Sequence, residues 1–378
     1  GSNAAGRLIS YMHLYPDIED QEKVFSLFST IADKERLGMI ADAYPESGEI
    51  TKAFSLILLS QTGYNKYFEL AMEETGSVSD LVRNAAFVSL KNMVTEDNIP
   101  DLIELLKELN ARGEVLQVQS ALVRAANQIA YKESRADLLL EAASDSVLKI
   151  KLIPVLKGIG GRKALKLVLD NFYNSDAALK ELCFDALSGW IDNTASYALF
   201  DICSSDDKSY LKPAFEGYIR QVTGAYITGE QKLLLLRKIM PFAESPDMKV
   251  KVLTNISDIH TIPALMFAAQ YFDDNVINQV ACRSAMLIAL PPDNGSPGLY
   301  GDNVRKVLED VISIIKGAGS EYDISRINSY LEEMPGDKGF VSMFNGKDLS
   351  GWQGLVEDPV ARSKMSDAEL ARKQEEAN

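Results

Sequence analysis

Few side chains in this 378-residue sequence are histidines or cysteines, the residue types that most often act as bases, nucleophiles or zinc ligands near neutral pH. There are two histidines, His13 and His260, and three cysteines, Cys183, Cys203 and Cys282. No His/Cys cluster has the spacing of a zinc site. Each cysteine has apolar neighbours, which favours three small core residues over disulfide partners. His260, at the start of a helix in DIHTIPAL, is interpreted as a turn residue rather than a base or ligand.

Three polar loops and one carboxylate pair are candidates for phosphate, calcium or sugar sites. GIGGRK (158–163) joins two predicted helices without a preceding strand, which indicates an inter-repeat turn rather than a phosphate loop. NGKDLSG (345–351) lacks the glycine spacing of a Walker loop. SSDDKS (204–209) lacks the alternating oxygen ligands of a calcium loop, and helix capping explains it better. Glu357 and Asp358 are adjacent, so they cannot face each other across a sugar, and we interpret them as solvated surface.

We therefore predict no catalytic, cofactor-binding or metal-binding residue in this chain, and no cofactor. The apolar share of 46% and the charged share of 25% indicate a globular protein. The net charge is −15, and the sequence has no stripe of basic residues, so a nucleic-acid partner is not expected. No apolar run reaches the length of a membrane span. We expect a monomer.

The chain repeats one apolar pattern eight times, at intervals of 29 to 38 residues. Its four positions have offsets 0, 4, 5 and 8, which places them on one face of a helix. The copies are Ile50, Phe54, Ser55, Leu58; Val82, Ala86, Phe87, Leu90; Val118, Leu122, Val123, Ala126; Leu148, Leu152, Ile153, Leu156; Leu179, Cys183, Phe184, Leu187; Tyr210, Ala214, Phe215, Tyr218; Met248, Val252, Leu253, Ile256; and Ile277, Ala281, Cys282, Ala285. A single such helix cannot bury this face, but stacked neighbours can.

Each repeated helix follows a first helix and a short acidic turn. The first helices are predicted at 99–109, 135–144, 162–172, 231–243 and 262–272. Side-chain oxygens in the turns suit the free N–H groups that open the next helix. The turns are Ser79-Asp80, Ser144-Asp145, Ser175-Asp176, Asp206-Asp207, Pro246-Asp247 and Asp273-Asp274. The second helices carry surface charges of both signs, at Arg83, Lys151, Lys180, Glu181, Asp185, Glu216, Lys249 and Lys251, and this face often binds partners in such arrays.

This arrangement resembles HEAT repeats of the armadillo-type class over roughly residues 20–290. The resemblance implies an all-α, right-handed α-α superhelix. Tetratricopeptide repeats have a similar period, but their Trp-Leu-Gly-Tyr type signature is not found. The alternative is an irregular helical domain with accidental spacing.

The sequence changes character after the repeats. A breaker-rich loop, LPPDNGSPGLYGDN, precedes two predicted helices at 303–317 and 321–334 that would cap the array. In GFVSMFNGKDLSGWQG (339–354), strand-like alternation at 341–343 and the turn signal Asn345-Gly346 predict the start of a β-structure.

GFVSMFNGKDLSGWQG closely resembles the opening of the 3-keto-disaccharide hydrolase domain, departing by Met343 where Leu is usual. That resemblance implies a concanavalin-like β-sandwich active on sugars, in proteins mostly exported by bacteria of the Bacteroidetes and Planctomycetes kind. Residues 355–378 look like an insert of some members, helical from about Asp367 with Ser366 as cap. The family's catalytic positions are expected beyond Asn378, and none is carried over. Alternatively, 339–354 form only an extended arm.

The predicted organisation is a cloning remnant at 1–5, a HEAT-like array at 6–290, capping helices at 291–334, a linker at 335–339 and an incomplete hydrolase domain at 340–378. The predicted function is a non-catalytic scaffold of a larger secreted glycoside hydrolase, periplasmic or extracellular by the family resemblance. Its partner would be a protein, the hydrolase domain or a glycan. A stand-alone protein-interaction scaffold is the alternative. Hydrolysis by the array itself ranks last, because no nucleophile and base are placed together.

Overall fold

The computed structural model describes residues 7, 11, 22–24, 26, 27, 34–61, 65–292, 295–336, 348–350 and 352–377. It divides into two compact units, residues 1–255 and 256–378. The described part of the chain is helical and contains no β-strand, so the prediction of an all-α fold is confirmed. Within these residues, no helix is both long and apolar enough to cross a membrane.

Unit 1 is built from consecutive helix pairs. Its helices are α1 Lys34–Ala43, α2 Glu49–Gln61, α3 Phe68–Glu74, α4 Asp80–Met93, α5 Ile99–Glu108, α6 Arg112–Gln128, α7 Asp137–Ala142, α8 Ser146–Ile159, α9 Arg162–Asn174, α10 Ala177–Ser188, α11 Ser196–Ser204, α12 Leu211–Gly224, α13 Gly229–Ile239 and α14 Pro246–Ile256, whose last residue begins unit 2. Short 3-10 turns lie at Asn65–Tyr67, Glu96–Asn98, Lys132–Ser134, Asn193–Ala195 and Met240–Phe242.

Unit 2 continues the helical pattern and then ends in a shorter C-terminal segment. Its helices are α15 Ile262–Ala269, α16 Asn278–Ala289, α17 Asp302–Ile314, α18 Ser320–Glu333, α19 Pro359–Arg362 and α20 Asp367–Ala377. The predicted helices at 303–317 and 321–334 are therefore present as α17 and α18. Helices α16, α17 and α18 pack in sequence order.

The eight apolar patterns coincide with α2, α4, α6, α8, α10, α12, α14 and α16. Of their 32 side chains, 27 are buried and five are half-buried. Two pattern residues, Tyr210 and Ile277, occupy the position just before the helix. In unit 1, each even-numbered helix from α2 to α10 packs against the next even-numbered helix, so that the contacts run from α2 to α12. Those from α4 to α12 also pack against the first helix of their own pair, so successive pairs share one apolar layer.

The predicted turn residues cap helices at two of the six places, and a neighbouring serine caps a third helix. The Asp145 carboxylate accepts hydrogen bonds from the backbone N–H groups of Val147 and Leu148 at the start of α8. Asp176 accepts one from Leu179 at the start of α10. At α14 the capping oxygen belongs to Ser245, one residue before the predicted pair. These bonds satisfy N–H groups that the helix itself leaves unpaired.

At the other three turns the prediction of side-chain capping is wrong. The Ser79 hydroxyl donates to Glu49 Oε2 at 2.8 Å instead, which links α4 to the preceding repeat. Asp207 and Asp274 each accept from the N–H two residues later, so each shapes the turn before its helix. The residues at the N-cap positions of these helices, Tyr210 and Ile277, make no side-chain capping bond.

The C-terminal segment folds back on itself within unit 2. Ser366 Oγ accepts from the Glu369 N–H at 3.3 Å at the start of α20, as predicted. Gln374 of this helix donates to the Gly354 carbonyl at 2.9 Å. Residues 1–6, 337–347 and 351 lie outside the described residues, so the cloning remnant and the strand and turn of 340–347 stay predictions.

The apolar layer makes a testable prediction on α6. Leu122 is fully buried, whereas Leu116 on the same helix is 51% exposed. We expect Leu122→Ala to lower the free energy of unfolding by about 2–5 kcal/mol, because it removes buried surface and leaves a cavity. We expect Leu116→Ala to change it by less than about 0.5 kcal/mol. Urea unfolding followed by circular dichroism measures both, and equal losses would contradict the shared layer.

Candidate functional site

The charged residues singled out on the second helices mostly connect neighbouring repeats. The Arg83 guanidinium on α4 donates to Glu114 of α6 at 3.3 Å and to the Ser77 carbonyl at 3.0 Å. Glu216 on α12 pairs with Lys251 on α14 at 2.8 Å. Lys180 lies over the rings of Phe172 and Tyr210, and Glu181 accepts from the Tyr210 hydroxyl at 2.7 Å. Asp185 is exposed and Lys249 half-buried.

Lys151 has the most strictly structural role of this group. Its ammonium on α8 donates to the carbonyls of Leu106, Lys107 and Leu109 at 2.9, 3.0 and 2.6 Å. These carbonyls close the C-terminus of α5, where a cation also suits the helix dipole. Most of the charged groups named on the second helices are therefore bonded within the array.

The GIGGRK loop is an inter-repeat turn, as predicted, and the structure shows why it needs two glycines. Gly160 and Gly161 have φ values of 68° and 86°, which favour glycine. A Cβ on Gly160 would also lie 2.5 Å from Asp192 Oδ2. The Gly161 N–H donates to the same oxygen at 3.0 Å. The turn is thus shaped around a carboxylate of the next repeat.

Asp192 joins three consecutive repeats through one side chain. Besides Gly161, it pairs with the Lys132 ammonium at 2.8 Å and accepts from the Thr194 N–H at 3.0 Å and from the Thr194 hydroxyl. Burial by itself would raise the pKa of Asp192, but the hydrogen bonds from Lys132, Thr194 and Gly161 outweigh it and lower the pKa below its ordinary value. No local sequence pattern identifies Asp192 as a residue that joins repeats.

The remaining loop and histidine candidates also have structural contacts. His260 Nδ1 lies 3.1 Å from the Ile288 carbonyl and holds a turn, as interpreted from the sequence. In SSDDKS, the Lys208 ammonium donates to the Cys203 carbonyl at 3.3 Å, beside the Asp207 turn. His13 and most of NGKDLSG lie outside the described residues.

The carboxylates after the hydrolase-like string stabilise local structure. Asp358 accepts from the N–H groups of Val360 and Ala361 at the start of α19. Glu357 pairs with Lys373 on α20 at 2.8 Å. They do not converge on a common centre.

All three cysteines are buried and free, as the core interpretation predicts. Burial raises the pKa of Cys183 to about 11 and the pKa values of Cys203 and Cys282 to about 12. A thiol with such a pKa is almost entirely protonated near neutral pH, so it is a poor nucleophile.

The surface feature best suited to binding is a groove of about 450 Å³ in unit 1, formed by the first helices α11 and α13 with α9 and α12. We call it the Tyr197 groove, and its defining residues are Arg162, Tyr197, Phe200, Tyr218, Leu234 and Lys238. Tyr197 is 73% exposed and Leu234 is 64% exposed. Large side chains held in contact with water beside a concave surface are typical of a binding site.

The groove contains a hydrogen-bonded tyrosine, Tyr218, and two cations, Arg162 and Lys238. The Tyr218 hydroxyl donates to the Leu235 carbonyl at 3.2 Å, and burial raises the pKa of Tyr218 to about 12. The Lys238 ammonium lies 4.2 Å from the centre of the Phe200 ring. Neither Lys238 nor Arg162 has a carboxylate partner among the residues that the structure describes. The groove therefore presents positive charge in a chain whose net charge is −15.

Sequence reasoning placed the binding surface on the second helices and missed this groove. The residues that build it come from separate turns and helices between 162 and 238, without a common spacing. The one local signal was the apolar run Leu233–Leu236 in α13, where four successive leucines exceed what one buried face requires.

Comparisons with known proteins do not place the chain in a family. No known protein family matches the sequence, and no curated protein matches it. One solved structure, described as "Computational Design of Self-Assembling Cyclic Protein Homooligomers", is 13% identical, and the match covers 76% of this chain and 96% of that one. Its TM-score of 0.14 is too low to support an argument about fold or function.

The Asp192 node predicts a pH-dependent stability. Because the folded-state pKa is lowered, the stabilisation is fully present above the ordinary carboxyl pKa of about 3.9 and is lost as pH falls through the folded-state pKa. We expect Asp192→Asn to cost about 2 kcal/mol of unfolding free energy at neutral pH, since it weakens the bonds from Lys132, Thr194 and the buried Gly161 N–H. The difference from the native protein should shrink in acid, as measured by urea unfolding.

The control is Asp137→Asn, because the Asp137–Lys163 pair at 2.6 Å is about half exposed on both sides. An exposed pair contributes little, so we expect a loss below about 1 kcal/mol. A cost for Asp192→Asn that is the same in acid and at neutral pH would contradict the electrostatic role.

Proposed function

We propose that this chain is a non-catalytic, HEAT-like interaction module that binds an acidic, apolar segment of a protein partner in the Tyr197 groove. The observation that carries the proposal is the combination of exposed Tyr197 and Leu234 with two cations, Arg162 and Lys238, that have no carboxylate partner among the described residues. An acidic segment would supply the opposite charge, and its apolar side chains would cover the exposed rings and leucine.

The contrast with the second-helix face supports this choice of surface. Arg83, Lys151, Glu216 and Lys251 are already bonded to neighbouring repeats. A partner at that face would have to compete with these contacts. In the Tyr197 groove a partner gains contacts without breaking an ion pair of the array.

We further propose that the module belongs to a larger secreted hydrolase acting on 3-keto-disaccharides or related glycosides, with its catalytic β-sandwich outside this chain. The support is the resemblance of residues 339–354 to the opening of that domain. The side chains of His260, Asp192, Glu357 and Asp358 each make contacts that hold local structure.

The alternative is a stand-alone protein-interaction scaffold. It uses the same groove and the same acidic, apolar partner, but it has no associated glycoside hydrolysis. The exposed groove fits both versions, and the activity of the longer reading frame separates them.

The groove is tested with a displayed peptide library. We expect the selected peptides to combine Asp or Glu with aromatic or leucine residues, because these match the cations and the exposed apolar side chains. Lys238→Glu should weaken binding of a selected peptide at least about tenfold, as measured by fluorescence anisotropy, since it reverses the attraction. Leu234→Glu should have a similar effect through lost apolar contact and repulsion.

Leu116→Glu is the matched control, because Leu116 is an exposed helical leucine outside the groove, and binding should be unchanged. Selection of basic peptides, or equal binding by all variants, would refute the proposed site.

The enzymatic part is tested by measuring cleavage of a 3-keto-glycoside by this chain and by the protein extended along its reading frame. We expect the extended protein to be active and this chain to be inactive. Activity in this chain would contradict the non-catalytic proposal. An extended protein that is inactive but still binds the peptide would favour the stand-alone scaffold.

A further inference from the structure

A smaller cavity of unit 1, of about 230 Å³, is formed by α9, α10, α11 and the segment before α12. We call it the Tyr173 cavity, and its defining residues are Phe172, Tyr173, Lys180, Asp201, Asp207 and Tyr210. It shares no lining residue with the Tyr197 groove. Pockets for drug-sized ligands measure about 300–1,000 Å³, so this cavity suits a small ion or a single head group.

Three aromatic rings of the cavity are held in place by contacts with one another. Phe172 is 4% exposed, and its ring centre lies 5.0 Å from that of Tyr173 and 5.5 Å from that of Tyr210, both edge to face. The Tyr210 ring also packs on the buried Phe184 ring at 4.5 Å, and its hydroxyl donates to Glu181. Packing therefore positions the rings, and Tyr173, at 60% exposure, is the most open of the three.

The fold itself shows that these rings attract a cation. The Lys180 ammonium lies 5.2 Å from the centre of the Phe172 ring and 5.3 Å from the centre of the Tyr210 ring. Both distances are within the range of about 6 Å over which a positive charge is attracted to a ring face. Asp207 Oδ2 lies 4.0 Å from the same ammonium. Lys180 is itself part of the wall, so the space beside it stays open.

The charges that line the cavity leave one carboxylate without a counter-ion. There are two carboxylates, Asp201 and Asp207, and one ammonium, Lys180. Asp207 faces Lys180, whereas the exposed Asp201 carboxylate has no ion-pair partner among the described residues. Burial and the charge of Asp201 raise the pKa of Tyr173, so this carboxylate acts on the most open ring. A monovalent cation would balance the charge of the cavity.

We propose that the Tyr173 cavity binds the quaternary ammonium group of a small organic cation of the choline type. The methyl groups pack against the Tyr173 ring, and the positive charge is attracted by the ring faces and by Asp201. A primary ammonium would need acceptors for three N–H groups, and one oxygen of Asp207 is already bonded to the Ser209 N–H. A quaternary ammonium needs none. This site does not depend on peptide binding in the Tyr197 groove.

The test is a calorimetric titration of the native chain with choline chloride at constant ionic strength. We expect choline and tetramethylammonium to bind. The alcohol 3,3-dimethylbutanol has the shape of choline without its charge, so it should bind at least about tenfold more weakly. Phosphocholine should also bind more weakly than choline, because its phosphate meets the carboxylates of Asp201 and Asp207. This arm separates a free cation from a lipid head group.

Two variants remove parts of the cavity that the fold does not need. Tyr173→Leu removes the open ring and should lower the affinity for choline at least about fivefold. Asp201→Asn removes the unpaired charge and should lower it several-fold. Tyr131→Leu is the matched control, because Tyr131 is a 69% exposed tyrosine outside the cavity, and the affinity should be unchanged. Circular dichroism confirms that each variant is folded.

A third variant should act in the opposite direction. Lys180 occupies the neighbouring ring faces and repels a second cation, so Lys180→Gln should raise the affinity for choline several-fold. The control for net charge is Lys91→Gln, at an exposed lysine of α4, and it should leave the affinity unchanged. A loss of affinity in Lys180→Gln would contradict the proposed competition.

Three further results would overturn the proposal. Absence of choline binding to the native chain would do so, including the case in which Lys180→Gln alone binds, since Lys180 would then close the cavity. Equal binding of 3,3-dimethylbutanol, or tighter binding of phosphocholine, would reject a free quaternary cation as the ligand. Equal affinities of the native chain, Tyr173→Leu and Asp201→Asn would place the bound choline elsewhere.

Discussion

The structure depends on one constraint: an amphipathic helix pair cannot bury its apolar face by itself. From α2 to α12, consecutive second helices solve this by packing against one another, and their buried side chains form a layer shared across repeats. Everything else adapts to that stacking. The polar groups at its edge, such as Lys151 and Arg83, bond to the neighbouring repeat because the stacking brings carbonyls and carboxylates within reach.

Stacking also explains where binding capacity remains. The second helices pack against one another, and Arg83, Lys151, Glu216 and Lys251 on them are bonded within the array. The first helices α11 and α13 leave a groove between them, in which Tyr197 and Leu234 stay exposed. At the C-terminal end of α12, the carboxamide of Gln221 is buried without a hydrogen-bond partner among the described residues.

The sequence was sufficient for the repeats because their signal is local. Apolar residues at offsets 0, 4, 5 and 8 recur in all eight copies, and helical geometry alone places them on one face. It was less reliable for the turns. A serine before a helix is a favoured cap, but Ser79 bonds to Glu49 because the preceding repeat brings a carboxylate close. Competition from a residue 30 positions away is invisible to a local pattern.

The amino-acid sequence by itself determined the helical class, the positions of the second helices, the buried cysteines and the glycine turn at 160–161. These follow from periodicity, side-chain volume and backbone freedom, which act over a few residues. Tertiary structure decided the role of Asp192, the exposed ring of Tyr197 and the unpaired amide of Gln221. Each of these depends on which atoms distant repeats bring together, and no spacing along the chain encodes that.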